Sequence, residues 1–117
     1  MIKIYTDGSC LKNPGNGGWA AIICTDNEVK KISGSEKDTT NNRMELMATI
    51  NALKEVNSED LIEIYTDSKY VKNKDLWVQL HDLNNNFKIK WNWVKAYAGN
   101  PLNEEVDLLA KKAASLD

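Results

Sequence analysis

Two aspartates, Asp7 and Asp67, each follow a short alternating apolar stretch and end the same Tyr-Thr-Asp triplet. The alternation over residues 2–7 and 62–67 is typical of strands with one buried face. If the two strands pair in parallel, the two carboxylates come together at one edge of a sheet. Carboxylates held together repel each other unless they are protonated or share a cation. The repeated triplet therefore predicts a site for a divalent metal ion.

Five strands and three helices are predicted from the hydrophobic periodicity. The strands are expected at residues 2–7, 17–25, 28–36, 61–66 and 87–94. The helices are expected at residues 41–56, 74–83 and 102–114. A tight turn at Asp26-Asn27 joins the second strand to the third, so the first three strands form an antiparallel meander. The chain is therefore expected to be an α/β protein.

The helix at residues 41–56 makes the parallel pairing possible. Thr39 or Thr40 can cap its N-terminus. A strand that follows a helical crossover can pair in parallel with a strand that precedes the crossover. Strand 61–66 is therefore expected beside the first strand, with the two triplets at the same edge of the sheet.

The bulk composition is that of one soluble globular domain. The chain has 117 residues, 42% of them hydrophobic, which suits a single domain over residues 1–117. It contains no apolar run of about 18 residues that could span a membrane, so no membrane association is expected. The first strand begins without the pattern of a secretory signal, and Cys10 and Cys24 lack metal-ligand spacing. A cytoplasmic protein with reduced thiols is expected.

Four acidic residues stand where predicted elements end or face the sheet, namely Asp7, Glu45, Asp67 and Asp107. An aspartate that ends an apolar strand is costly unless it is paired or bound to a metal, which favours a shared metal site. The alternative is chance, since the chain contains 17 Asp and Glu residues. The net charge of −2 is unusual for a nucleic-acid-binding protein. Two divalent cations bound to the four acids would reverse its sign.

Four longer motifs resemble one family over nearly the whole chain. Residues 6–18 contain TDGSC, then NPG and GG; residues 39–46 read TTNNRMEL; residues 66–71 read TDSKYV; and residues 91–107 begin with WNWVK and end at an aspartate. Together they resemble ribonuclease H of the type I class. The resemblance implies a five-stranded mixed sheet, made of the three-stranded antiparallel meander plus two parallel strands, with helices on both faces.

The resemblance also implies the chemistry of the four acids. By this resemblance, the catalytic residues of this chain would be Asp7, Glu45, Asp67 and Asp107, which would bind two Mg²⁺ ions. Mn²⁺ is a possible substitute. Two such ions can activate a water and stabilise the departing 3′ oxygen of a phosphodiester. The expected reaction is hydrolysis of the RNA strand of an RNA–DNA hybrid, which leaves 5′-phosphate and 3′-hydroxyl ends.

Contacts with the hybrid are implied by the same resemblance. Residues matching those that sense RNA 2′-hydroxyls in the shallow minor groove are Asn13, Asn41 and Lys69. Residues matching the region of the phosphate pocket for the DNA strand are Thr40, Arg43 and Asn73. Gly8 and Ser9 complete the expected set, because a glycine lets the backbone approach the substrate closely. The alternative for each asparagine is an ordinary role in a turn or a cap.

One departure from the family pattern concerns the affinity for the substrate. Longer members insert a basic helical protrusion between the segments that correspond to residues 70–71 and 73–77. Here these segments almost touch, and only Lys72 and Lys74 retain basic character. Retroviral ribonuclease H domains also lack the protrusion and depend on a neighbouring domain. We therefore expect weak hybrid binding by the isolated chain and a possible helper domain or protein, while the oligomeric state stays open.

A second departure is chemical. The family usually has a histidine in the loop before the last helix, and this chain has Tyr97 there. A tyrosine with a pKa of about 10 cannot exchange protons near neutrality as a histidine can. Tyr97 is therefore a candidate auxiliary residue, and we expect reduced turnover because it stands in place of the histidine. The alternative is that Tyr97 only packs in the loop.

Two other functions compete with hybrid hydrolysis. The missing protrusion and histidine are compatible with a hybrid-binding or RNA-binding module of negligible activity. A nuclease with broader targets, such as double-stranded RNA, is the other. The four acids argue against a pure binding module, because such a module gains nothing from negative charge where phosphate must bind.

Overall fold

A computed structural model describes residues 2–11, 15–56, 61–66, 82, 88–93 and 101–115. Five strands lie in this part of the chain, namely β1 (Ile2–Cys10), β2 (Gly15–Cys24), β3 (Val29–Thr39), β4 (Leu61–Thr66) and β5 (Lys88–Trp93). The helices are α1 (Asn41–Lys54) and α2 (Pro101–Ser115). The helix expected at residues 74–83 lies outside the described residues except for Asp82, which is helical and exposed.

The strands form one mixed sheet in the order β3-β2-β1-β4-β5. β1, β2 and β3 pair antiparallel, and β1, β4 and β5 pair parallel. The meander and the parallel pairing expected from the sequence are therefore confirmed. The turn between β2 and β3 closes with a hydrogen bond from the Thr25 amide to the Glu28 carbonyl, 2.9 Å long.

The two helices cover opposite faces of the sheet, as the resemblance implied. Strand residues alternate between the faces. The face under α1 carries buried aliphatic residues that pack on the helix, and these are Ile2, Ile4, Ala21, Ile23, Ile62 and Ile64. The face under α2 carries Tyr5, Ala20 and Ile22, which pack on Val106 and Ala110 of the helix. Because β1 is the central strand, its residues alternate between these two interfaces.

Small residues bring α2 close to the sheet. A Cβ atom added to Gly18 of β2 would meet the backbone of Ala110 and Ala114, and would lie 2.8 Å from the carbonyl carbon of Ala113. Helix and strand backbones are therefore in direct contact at this point, and any side chain on Gly18 would push them apart. This contact fixes where α2 lies along β2.

The C-terminal ends of three elements differ by two or more residues from the sequence expectations. β1 continues to Cys10 instead of stopping at Asp7, because its antiparallel ladder with β2 runs as far as Cys10 opposite Gly17. β3 likewise continues to Thr39 instead of residue 36. The first helix ends at Lys54, not residue 56. The first of these matters most, since it places Asp7 inside a strand and not at its end.

The N-cap of α1 is Thr40, which settles the choice left open with Thr39. The Thr40 hydroxyl oxygen accepts a hydrogen bond of 3.2 Å from the amide of Arg43. Thr39 is buried at the end of β3 instead, and its carbonyl accepts a hydrogen bond of 3.3 Å from the thiol of Cys10. The end of β1 and the start of α1 are thereby held together.

No helix within the described ranges is long and apolar enough to cross a membrane.

Candidate active site

Asp7 lies in the middle of the sheet on the half-exposed part of β1. It is the register partner of Ala20 on β2, and the amide of Gly8 donates a 2.8 Å hydrogen bond to its carboxylate. The alternation along β1 places Asp7 on the same face as Tyr5, which is the face covered by α2. A carboxylate in this position is held by the strand and faces the second helix.

Asp107 is carried by α2 over this face. Its neighbour Val106 is buried in the contact with the sheet, and Ala110, one turn later, packs on the same cluster. The side chain of Asp107 is 18% exposed and forms an ion pair of 3.0 Å with Lys111, one turn further along the helix. The docking of α2 therefore brings a second acid to the part of the sheet that carries Asp7.

Glu45 is brought to β1 by a backbone contact at Gly8. A Cβ atom on Gly8 would meet the amide nitrogen of Glu45 and would lie 2.7 Å from the carbonyl carbon of Met44. Because both obstacles belong to the helix backbone or to the fully buried Met44, neither can move aside easily. The absence of a side chain at Gly8 thus allows the backbone of α1 at Met44 and Glu45 to pack directly against β1 at Gly8, the residue after Asp7.

The repeated triplets are aligned by the parallel pairing of β1 and β4. Tyr5 and Tyr65 are register partners, and their rings stack with centroids 4.8 Å apart and planes 11° from parallel. The hydroxyl of Tyr65 donates a 3.0 Å hydrogen bond to Glu63. Partial burial, and then this hydrogen bond, raise the pKa of Tyr65. Asp67, two residues after Tyr65, lies outside the described residues.

The donor atoms of the described acids suit a hard divalent cation. Asp7, Glu45 and Asp107 supply only carboxylate oxygens, which Mg²⁺ prefers to nitrogen or sulfur ligands. Within the described ranges, no three acidic, histidine or cysteine side chains form a ready-made metal cluster. The fit to Mg²⁺ therefore rests on the chemistry of the three acids.

Five of the residues expected to contact a hybrid lie around the start of α1 and the end of β1. Thr40 caps the helix, Asn41 is its exposed first residue, and Arg43 closes its first turn. Gly8 and Ser9 follow Asp7 on β1. Gly8 contacts the backbone of Glu45, which joins this part of β1 to the first turn of α1. The remaining candidates lie outside the described residues, and they are Asn13, Lys69, Asn73 and Tyr97.

Glu36 is a residue of this region that the sequence did not predict. Its carboxylate accepts a 2.8 Å charge-assisted hydrogen bond from Nε of Arg43, and the two side chains are 30% and 28% exposed. The pairing depends on the register that sets Glu36 opposite Gly17 of β2. The irregular end of β3 comes after Glu36: the register shifts between Gly15 and Gly17, and Asp38 has a positive φ of 52°. The sequence does not indicate which cation Glu36 meets, which explains why Glu36 was missed.

Comparison with known proteins identifies related sequences. A family model described as RNase H matches residues 1–73 and 71–115. The Ribonuclease H of Francisella tularensis subsp. novicida is 47% identical over 136 aligned positions, which cover 96% of this chain and 90% of the relative. The Ribonuclease H of Francisella philomiragia has the same identity and coverage.

Solved structures share the fold. The N-terminal RNase H domain of a Mycobacterium tuberculosis protein superposes with a TM-score of 0.81 at 26% identity, over 97% of this chain and 92% of that one. LC9-RNase H1, a type 1 RNase H with the type 2 active-site motif, gives 0.80 at 25% identity, over 97% and 71%. LC11-RNase H1, solved in complex with an RNA/DNA hybrid, gives 0.79 at 22%, over 97% and 96%, and shows the fold alone.

The alignments also locate a deletion. The match to the novicida enzyme spans 136 positions, more than the 117 residues of this chain, so the relative carries residues that this chain lacks. The two pieces of the family match meet at residues 71–73, where the sequence predicts the missing protrusion. With 47% identity over almost its whole length and a matching fold, the chain belongs to the ribonuclease H family.

Proposed function

We propose that this nuclease hydrolyses the RNA strand of RNA–DNA hybrids with two bound divalent metal ions and leaves 5′-phosphate and 3′-hydroxyl ends. The observation that carries the proposal is the convergence on β1. The parallel register aligns Tyr5 with Tyr65, and the backbone of Glu45 packs against Gly8, the residue after Asp7, which supports the proposal. A relative of the same fold, LC11-RNase H1, was solved with an RNA/DNA hybrid, which supports this class of substrate.

Asp7, Glu45, Asp67 and Asp107 are proposed to hold the metal ions. When bound, two Mg²⁺ ions would activate the attacking water and stabilise the leaving 3′ oxygen. The protein's contribution is to fix the carboxylates before substrate arrives. Asp7 is fixed by the strand and by the Gly8 amide, and Asp107 is fixed by a helix docked on a packed interface. Lys111 forms an ion pair with Asp107 and partly balances its charge.

Selection of the RNA strand is proposed to come from the region around the start of α1. Asn41 is exposed there and offers both an amide donor and a carbonyl acceptor, which suits a 2′-hydroxyl. Gly8 presents backbone groups with no side chain to keep the substrate away. Thr40 and Arg43 lie in the same region and are proposed to contact the DNA strand through a phosphate. The contacts with the hybrid are proposed to be completed by Ser9, Asn13, Lys69 and Asn73.

Hybrid binding by this chain is proposed to be weak, because the basic protrusion of longer relatives is missing. Each lost phosphate contact lowers the affinity and flattens its dependence on salt. A helper domain or protein would then supply the missing contacts with the substrate. The role of Tyr97, the cytoplasmic location and the single-domain organisation over residues 1–117 stay predictions.

A cleavage assay tests the proposed function. End-labelled hybrid, duplex RNA and duplex DNA are incubated with Mg²⁺ or Mn²⁺ and either the wild type or Asp7→Asn. We expect cleavage of the hybrid alone, and its loss in Asp7→Asn. The matched control is Asp26→Asn, since Asp26 is exposed in the turn between β2 and β3 and should leave the rate unchanged.

Three results would contradict the proposal. Binding of hybrid without cleavage would indicate a binding module. Cleavage of duplex RNA as fast as hybrid would indicate a broader nuclease. Undiminished cleavage by Asp7→Asn would remove that carboxylate from the chemistry.

A further inference from the structure

We propose that Glu36 competes with the DNA strand for Arg43: its carboxylate pairs with the guanidinium and thereby lowers the affinity of this region for phosphate. The proposal rests on the proposed function, in which Arg43 contacts a phosphate of the DNA strand. It adds a residue that sets substrate affinity, and it assigns that residue the direction of its effect. Removing the charge of Glu36 should tighten hybrid binding.

The geometry of β3 aims Glu36 at the helix. Its register partner on β2 is Gly17, and a Cβ atom on Gly17 would lie 2.8 Å from the side chain of Met44. Residues opposite each other in a sheet share a face, so Glu36 lies on the face that α1 covers. From there its carboxylate reaches Nε of Arg43 at 2.8 Å. The contact is therefore built into the strand register.

Arg43 is held at both ends. Its amide donates to the capping hydroxyl of Thr40, and its guanidinium donates to Glu36. A cation in the first turn of a helix is unfavourable, because the helix dipole already places partial positive charge there. Arg43 and the helix end together attract an anion, and Glu36 supplies one from within the protein. In the absence of nucleic acid, the local charge is therefore neutralised.

A phosphate that approaches Arg43 must do so beside a carboxylate. The two side chains are about one-third exposed, so their charges are only partly screened by water. An arginine neutralised in this way releases few counterions when a phosphate arrives, so it adds little to affinity and little to salt dependence. The effect has the same direction as the missing protrusion, since both weaken the hold on the substrate.

Glu36→Gln tests the proposal because it keeps the size of the side chain and a hydrogen-bond acceptor. Hybrid binding is measured by fluorescence anisotropy over a range of salt concentrations, with Asp7→Asn in every protein to prevent cleavage. We expect the Kd in about 0.1 M salt to fall roughly threefold to tenfold. We also expect the plot of log affinity against log salt to become steeper by about 0.9, the slope of one added phosphate contact.

The matched control is Glu55→Gln. Glu55 follows α1 and forms an ion pair with Lys30 of β3. The variant therefore makes the same change in net charge as Glu36→Gln and also breaks an ion pair. It lies 12 residues further along the chain than Arg43, about 18 Å at the helical rise per residue, beyond the screening length of about 8 Å. Affinity and salt slope should match those of the parent.

Adding Arg43→Gln identifies the partner through which Glu36 acts. If Glu36 acts by neutralising Arg43, the steeper slope seen with Glu36→Gln alone should disappear in the double variant. Melting curves of all variants confirm that the fold is kept.

Two outcomes overturn the proposal. A higher Kd in Glu36→Gln means that Glu36 orients Arg43 for phosphate and does not compete with it. An unchanged Kd and slope mean that Arg43 lies outside the phosphate contacts. If the wild-type protein, with Asp7 intact, neither binds nor cleaves hybrid, the proposed function itself has failed. If the wild type cleaves hybrid but Glu36→Gln binds no more tightly than its Asp7→Asn parent, only the competitor role has failed.

Discussion

The two ends of α1 are tied to the same edge strand by ion pairs with opposite arrangements. At the N-terminal end the acid, Glu36, comes from β3 and the base, Arg43, from the helix. Just past the C-terminal end the base, Lys30, comes from β3 and the acid, Glu55, caps the helix. The first pair is about one-third exposed, whereas Lys30 and Glu55 are 50% and 41% exposed.

The difference shows that similar contacts can serve different purposes. In each pair the charge carried by the helix is the one that its dipole disfavours, and the charge from β3 is the one that it favours. The pair at the C-terminal end is the more exposed of the two and is therefore better screened by water. The pair at the N-terminal end lies one turn or less from Glu45, in the region proposed to contact substrate. Burial and neighbours therefore decide what each pair can do.

The largest expected contrast between the two ends is in catalysis. Glu45→Gln at the N-terminal end should lower kcat on the hybrid about 10²-fold or more, since it removes a charge from the proposed metal site. Glu55→Gln, the same substitution at the other end, should leave kcat within about twofold of the wild type. Single-turnover cleavage in saturating Mg²⁺ measures both. Equal rates for the two variants would place Glu45 outside the chemistry.

A smaller contrast is expected in stability when the contact beside Glu45 is widened. Gly8→Ala places a Cβ against the backbone of Met44 and Glu45, which should cost about 1–3 kcal/mol in the free energy of unfolding. The matched substitution is Gly34→Ala on β3. Its added Cβ meets the ring of Trp19, a half-exposed side chain that can turn aside, so the cost should be lower. Urea unfolding ranks the two, and a larger cost for Gly34→Ala contradicts the rigid contact at Gly8.

The smallest effect is expected for the ion pair at the C-terminal end. A double-mutant cycle with Lys30→Met and Glu55→Gln should give a coupling energy of about 0.2–0.5 kcal/mol, because both side chains are mostly hydrated. The same cycle on Glu36 and Arg43 should give a larger value. If the exposed pair proves the stronger of the two, the difference in burial is not what separates the two ends.

Much of the fold could be predicted from the sequence. Alternation and helical periodicity located β1, β4 and α1, and the crossover rule correctly predicted that β1 and β4 pair in parallel. Alternation failed beyond Asp7, because the small polar residues that follow it have no strand pattern of their own. They belong to β1 only through pairing with β2, whose glycines supply the partner strand.

The candidate site residues Asp7, Glu45 and Asp107 come from the family motifs, and their roles stay predictions. The structure adds contacts that the motifs do not give, such as the packing of the Glu45 backbone against Gly8. The Glu36–Arg43 pair depends on the register that sets Glu36 opposite Gly17 of β2. That register could not be predicted, because most side chains of β3 are exposed and a strand of this kind has no strong hydrophobic pattern to fix its pairing.

The close contact of α2 with Gly18 also has a consequence for how the protein folds. It joins the last described helix to the second strand, so a long loop must close before the contact can form. Asp107 reaches the part of the sheet that carries Asp7 only when this docking is complete. If Asp107 is a metal ligand, as proposed, partly folded chains lack that ligand and should have no nuclease activity before this helix docks.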